Sequence, residues 1–381
     1  MPAQTHKSAR TIRIANAVFF FISGFGYTTW ASRIPSIQHQ LHLNEAQLGA
    51  ALFALPIGLM ATMPITGQLL SRFSSSKIML FGAVAFTVML GLLGYVTQYW
   101  QFIIVLFCFG SSRNLLNLST NTEALGVQAL YKKSIMTTFH GIWSLAGFGG
   151  AALSYLMVYF SVVPTYHLLT VSTVLIVLAF AFYANMLHQP PVQQAKKPIF
   201  SLPDKDLLKF SLICFGSMAC ENIMYDWSGI YMHKAVVDSK RVAVASFVIF
   251  MVTVTLGRFI GDRIVHRVGI KKFLQYSGVL IVSGFTLAVA FPSVPVVITG
   301  FAIIGFGVSC IVPLVFAQAG KSKTMSNGPA MAAISTIGYL GFLVIPPLVG
   351  FIAQATNLRW SFGLTIILGT VIIIMASKIE E

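Results

Sequence analysis

Two basic stretches decide the fold: "GQLLSRFSSSK", Gly67–Lys77, and "DRIVHRVGIKK", Asp262–Lys272. Each lies between two long apolar runs. A shift of 195 residues lays Arg72 on Arg267 and Lys77 on Lys272, about half the length of the 381-residue chain. The spacing reads as one helical pattern used twice.

The composition around these stretches is that of an integral membrane protein. Hydrophobic residues make up 56% and charged residues 9%, whereas soluble domains carry about 25% charged residues. A helix needs roughly twenty apolar residues to cross the hydrocarbon core. Twelve segments qualify, at roughly 12–34, 47–70, 78–97, 100–126, 137–160, 166–186, 207–232, 242–265, 273–291, 294–319, 329–355 and 360–376. The basic N-terminal stretch Met1–Arg13 precedes the first run, which is kept as a helix because no small-residue cleavage site follows it.

The net charge of +15 suggests a nucleic-acid binder only until its distribution is read. An even number of spans puts both termini on one side; that side holds nineteen Lys and Arg and the other five, with Arg113 the last of the 25. The bias predicts cytoplasmic termini in the inner membrane and no nucleic-acid partner. The polar connection "HQPPVQQAKKPIFSLPDKDLLK" splits the chain into a bundle at 1–187, a linker at 188–206 and a bundle at 207–381. Cys108, Cys214, Cys220 and Cys310 fall in apolar runs without metal or disulfide spacing. With no P-loop, zinc motif or nucleophile/base set, neither a cofactor nor an enzyme is expected, and ATP is not the direct energy source.

Parallel six-helix halves are an architecture of secondary transporters, and here the sequence resembles the major facilitator superfamily over nearly its whole length. The family's loop motif runs Gly, three residues, Asp-Arg, one residue, Gly, then basic residues. The second copy keeps Arg267, Gly269, Lys271 and Lys272, with His266 in place of the acid and Asp262 a turn earlier. The first keeps Gly67, Arg72 and Lys77, with Ser71 for the acid and Ser74 for the glycine. The resemblance implies that Arg72, Lys77, Asp262 and Arg267 take part in gating. "WASRIP" at Trp30, "MTTFHGIWSLAG" at Met136, "DWSGIYM" at Asp226 and "GYLGFLVIPPLVG" at Gly338 are similar to the branch of fucose/proton symporters and YbjJ-like inner-membrane proteins.

Charges inside the spans point to the site, because an ionisable group at depth costs a few kcal/mol and usually faces a cavity or a partner. Arg113 and Glu221 both fall near the middle of their spans, one in each half, and Asp226 lies more than a turn beyond Glu221. Arg113, Asn117 and Asn121 form one stripe at i, i+4 and i+8, and Glu221, Asn222 and Tyr225 another. The resemblance implies that the spans carrying both stripes line a central cavity, with Tyr27 and Trp30 added from the first span. Glu221, then Asp226, are the candidate proton carriers. Arg113 either holds an anionic group by forked hydrogen bonds, toggles Glu221, or forms a structural ion pair with it. Asn117 and Asn121 either contact solute or bond neighbouring helices. Glu123 and Arg258 are placed near the inner interface, as snorkelling or gate residues.

The expectation is an all-α protein of twelve transmembrane helices in two six-helix bundles. It would carry a small polar solute (sugar, sugar acid or organic acid) by proton-coupled alternating access, as a monomer contacting only solute, protons and membrane lipid. The alternatives are a transporter-like receptor or scaffold, and a lipid, lysolipid or drug exporter of the same fold.

Overall fold

The computed structural model describes residues 8–132, 135–189, 191, 202–319, 325 and 327–379. Lys7, Lys133, Lys196, Lys197, Lys321 and Lys323 of the topology count, and residues 190 and 192–201 of the linker, lie outside the described residues.

Thirteen α-helices and one π-helical turn are found among the described residues, and no strand. In chain order they are α1 (Ala9–Gln40), α2 (Glu45–Arg72), α3 (Ser75–Leu93), α4 (Tyr99–Gln128), α5 (Met136–Tyr159), α6 (Pro164–Tyr183) and α7 (Lys205–Tyr231). The π-helical turn Met232–Val236 follows, then α8 (Lys240–Val268), α9 (Ile270–Ala290), α10 (Val294–Val308), α11 (Ile311–Ala319), α12 (Asn327–Ala355) and α13 (Leu358–Ser377).

Local chemistry sets several boundaries. The Asp204 carboxylate accepts from the Leu207 amide at 2.8 Å to start α7, and the Asn357 side chain accepts from Arg359 and Trp360 to start α13. Pro164 opens α6, where its missing N–H costs nothing. Gly269 separates α8 from α9 at φ 81°, a conformation that side chains disfavour.

Eleven segments are long and apolar enough to cross a membrane, with α10 and α11 counted as one, Val294–Gln318. The twelfth crossing is α1, whose 32 residues span about 48 Å at 1.5 Å each. Polar residues at Asn16, Ser23 and Thr28 dilute its hydropathy. The tenth span, predicted as one helix, breaks at Ser309 and Cys310. The cause is Pro313, which has no N–H to return to the carbonyl four residues back.

The chain clusters into two units: Met1–Trp30 with Ala54–Gly150 and Val162–Ala195, and Ala31–Phe53 with Ala151–Ser161 and Lys196–Glu381. In the first, α3 packs on α4 and α6; in the second, α9 packs on α10 and α13, while α7 packs on α12 and α13. Large apolar side chains such as Phe81, Trp100 and Phe180 in the first unit, and Phe259 and Trp360 in the second, are exposed.

The 195-residue repeat is visible in the packing. A Cβ on Gly110 would strike the backbone of Leu55, and one on Gly305 would meet the carbonyl of Phe250 at 2.8 Å. Both residues of the second pair lie 195 positions beyond those of the first. Each unit thus has the same glycine letting the same two helices touch backbone to backbone.

Replacing Gly110 or Gly305 by Val should destabilise the protein by about 1–3 kcal/mol, the usual cost of overpacking, and lower its melting temperature in detergent. Gly67→Ala, where nothing lies within 4 Å of the new Cβ, should leave it unchanged. Equal melting of all three would show that neither crossing is tight.

Candidate functional site

In the first unit the site is an antiparallel zipper between α1 and α4. Positions 16, 20, 23, 27 and 30 of α1 recur at alternating four- and three-residue steps, so they share one face. Along it the Trp30 ring packs 5.9 Å from Phe102 and 6.2 Å from Phe109. A turn further back, the Arg113 guanidinium carbon stands 3.6 Å over the centre of the Tyr27 ring. Next, Ser23 Oγ donates to Asn117 Oδ1 at 2.7 Å and accepts from Trp143 Nε1 of α5 at 3.3 Å. As the α1 number falls the α4 number rises.

Of the residues singled out in the sequence, the structure brings Tyr27, Arg113 and Asn117 together on this seam. Trp30 is fully buried in the aromatic packing above it, its Nε1 without a hydrogen-bond partner among the described residues. Asn121 donates to the carbonyl of Asn117 at 2.8 Å. Ser23 and Trp143 were not singled out, although the α1 spacing that places Ser23 was present in the sequence. Arg113 is 8% exposed, its Nε has no hydrogen-bond partner, and no ion pair involves it among the described residues. Its charge is met by the π-face of Tyr27, an attraction that strengthens as water is excluded.

In the second unit Glu221 Oε1 pairs with Arg258 Nη2 at 3.2 Å. The sequence placed Arg258 near the inner interface because the eighth span was read as ending at 265. In the structure α8 runs to Val268, ten residues past Arg258, or about 15 Å. Of the two roles expected for Arg258, snorkelling or gating, the ion pair with Glu221 fits the second. Asn222 and Asp226 are buried, and Tyr225 packs edge-on against Phe247 and Phe250 at 5.7 and 5.9 Å.

Five residues at 100° each turn Asp226 about 140° away from Glu221 around α7. Asp226 lines a small pocket with Ser32, Pro35, Tyr225, Ser228 and Phe247. The two acids considered as proton carriers therefore face different surroundings.

Arg72, Lys77, Asp262 and Arg267 are exposed, and none forms an ion pair among the described residues. Glu123 is fully buried: it accepts from the Ser75 hydroxyl and, at 3.1 Å, from the Leu187 amide. A carboxylate at the first turn of α3 is favoured by the helix dipole. It brings a carboxyl group to the loop whose motif has lost its acid at Ser71.

The family model of the Major Facilitator Superfamily matches residues 17–326 and 239–379. An uncharacterised MFS-type transporter of Yersinia pestis is 30% identical over 351 residues, covering 92% of this chain and 91% of its own. Among solved structures, the nucleoside transporter NupG superposes with TM-score 0.73 at 15% identity, covering 97% of this chain and 100% of its own. A bacterial homologue of the human lysosomal transporter Spinster gives TM-score 0.73 at 13% identity, covering 96% and 95%. At those identities the two structures speak for the fold.

Removing the ring under Arg113 should leave a buried cation without its partner. Tyr27→Leu should destabilise the protein by about 2 kcal/mol, read as a drop in melting temperature in detergent, while Tyr27→Phe, which keeps the π-face, should stay close to wild type. A Tyr27→Phe loss as large as that of Tyr27→Leu would assign the stability to the hydroxyl.

Proposed function

The chain belongs to the Major Facilitator Superfamily and is a multi-pass membrane transporter with no enzymatic role, and from this premise we propose that its solute is a small polar anion. A sugar acid or another organic acid fits best, taken up with protons across the cytoplasmic membrane by alternating access. The observation that carries the reading is Arg113: a buried guanidinium in a membrane helix, stacked on Tyr27, with an unused Nε donor and no acid paired to it among the described residues. A carboxylate or phosphate entering there would supply the missing charge through forked hydrogen bonds. Tyr27, Trp30, Asn117 and Asn121 from the first half, and Glu221, Asn222 and Tyr225 from the second, make up the proposed lining. Glu221, secondarily Asp226, carries the proton.

The working bodies are 1–187 and 207–381, joined by 188–206, with both termini cytoplasmic and the protein a monomer in lipid. Alternating access is supported by contacts inside the second unit that join early and late helices. Glu45 pairs with Lys234 at 2.6 Å, a Cβ on Gly49 would meet the Pro346 carbonyl at 2.6 Å, and the Arg241 guanidinium lies 4.7 Å over the Tyr159 ring. These are the parts a closed gate at that end requires. Arg72, Lys77, Asp262 and Arg267 would serve the opposite gate. The short motifs at Trp30, Met136, Asp226 and Gly338 favour the fucose-symporter-like branch.

The test is a thermal-shift screen of sugars, sugar acids, nucleosides and organic acids, followed by flux in proteoliposomes. Arg113→Ala should abolish binding of the stabilising anion and Arg113→Lys restore part of it; neutral sugars stabilising all three proteins alike would refute the anion reading. With an imposed pH gradient, Glu221→Gln should keep downhill exchange and lose uphill accumulation. Unimpaired accumulation would remove the proton role from Glu221.

A further inference from the structure

The break between α10 and α11 exposes a second task for Arg258. In an unbroken helix the Ser309 carbonyl would accept from the amide of residue 313, but residue 313 is proline and has no N–H to give. The ladder resumes one residue later, at Cys310, whose carbonyl accepts from Leu314 N at 3.2 Å. Arg258 Nε points at the orphaned Ser309 oxygen and donates to it at 3.2 Å. Its other arm, Nη2, is the one that pairs with Glu221.

The sequence of α8 makes this approach feasible. Arg258 lies between Gly257 and Gly261, and a Cβ on the first would strike the Ser309 side chain, one on the second the Cys310 sulfur. Only bare backbone there lets α8 lie against the break. Cys310 Sγ then donates to the Gly257 carbonyl at 3.4 Å, closing the contact from the other side. A cation at the carbonyl end of α10 is also favoured by the dipole of that helix.

We propose that Arg258 is a positioning residue that couples the charge of Glu221 to the geometry of the α10–α11 break. With Glu221 ionised, the guanidinium is held on both sides, and the proline-freed carbonyl keeps its substitute donor. With Glu221 neutral, one anchor is gone, and the break gains freedom to bend or to take water. Around this pair the charge of Glu221 bears on Cys214 of α7, and those of Arg258 and Asp262 bear on Cys310. Of the helices packed against α7, α10, α11 and the span 360–377 of α13 hold no ionisable side chain, and α12 holds only Tyr339. On α8 itself Asp262, one turn beyond Arg258, and Arg263, His266 and Arg267 are exposed, so Glu221 is the acid that the Arg258 guanidinium meets in an ion pair. This deepens the proton role proposed for Glu221, yet it is tested without any solute.

The experiment is hydrogen–deuterium exchange of the full-length protein in lipid nanodiscs, read at the amides of residues 309–312 and 314–316. Glu221→Gln should speed exchange there by about tenfold or more, the scale of a lost charge-assisted hydrogen bond, and Glu221→Asp should not. Arg258→Ala should match Glu221→Gln, with partial recovery in Arg258→Lys. In wild type the segment should loosen as the pH is lowered through the titration of Glu221, and in Glu221→Gln it should be insensitive to pH. Pro313→Ala restores the helix's own donor to Ser309, so in that background Glu221→Gln should have little effect. Wild-type exchange in Glu221→Gln, an undiminished effect in the Pro313→Ala background, or a rise spread evenly over α7–α13 would each overturn the proposal. A failure of proton-coupled flux with this pattern intact would count against the transport reading alone.

Discussion

Hydrocarbon offers no water to a charge or to an unpaired carbonyl, so each polar group that this protein places within a span needs a partner from its own chain. Two arginines set within the spans, Arg113 and Arg258, meet that demand differently. Arg113 rests on an aromatic face that neutralises nothing, whereas Arg258 is shared between a carboxylate and a carbonyl. The first arrangement leaves a charge to be balanced by something that enters; the second is internally balanced until Glu221 changes its charge. A solute and a proton would thus act on separate guanidiniums, one in each half of the repeat.

The same solvent explains the glycines. Between helices in lipid there is little hydrophobic drive, and close backbone approach provides the packing instead. Gly110 against Leu55 and Gly305 against Phe250 are the duplicated case. Gly257 and Gly261 are not copied in the first half, where Thr62 and Thr66 stand 195 residues earlier. Thr66 instead accepts a hydrogen bond from Asn114 at 2.8 Å. The halves share a scaffold at one level and diverge at the level where the charges sit.

Much of this was legible in the sequence. Apolar run length gave the spans, and the displaced basic loops gave the repeat, since both depend on spacing along one chain. The stripe Arg113, Asn117, Asn121 was legible as a face of α4, but which neighbour met it was not: that needed the register of α1, and Ser23 was overlooked because a lone serine in an apolar run carries no signal of its own. Arg258 was legible as a charge toward the end of the eighth span, a snorkelling or gate residue; its partner was not, because the pairing with Glu221 depends on how α8 packs against α7.

Pro313 joins these points. A proline in a buried helix leaves one carbonyl without a donor, and proteins in lipid tolerate this when a neighbour restores the bond. Water or a serine would do so permanently. An arginine whose other arm holds a titratable acid does so conditionally, because the strength of its hold depends on that acid's charge. Three residues distant in sequence, Glu221, Arg258 and Pro313, thereby form one mechanical element, and it lies entirely within the second unit. A change of charge at Glu221 has a route to backbone movement that requires no contact with Arg113.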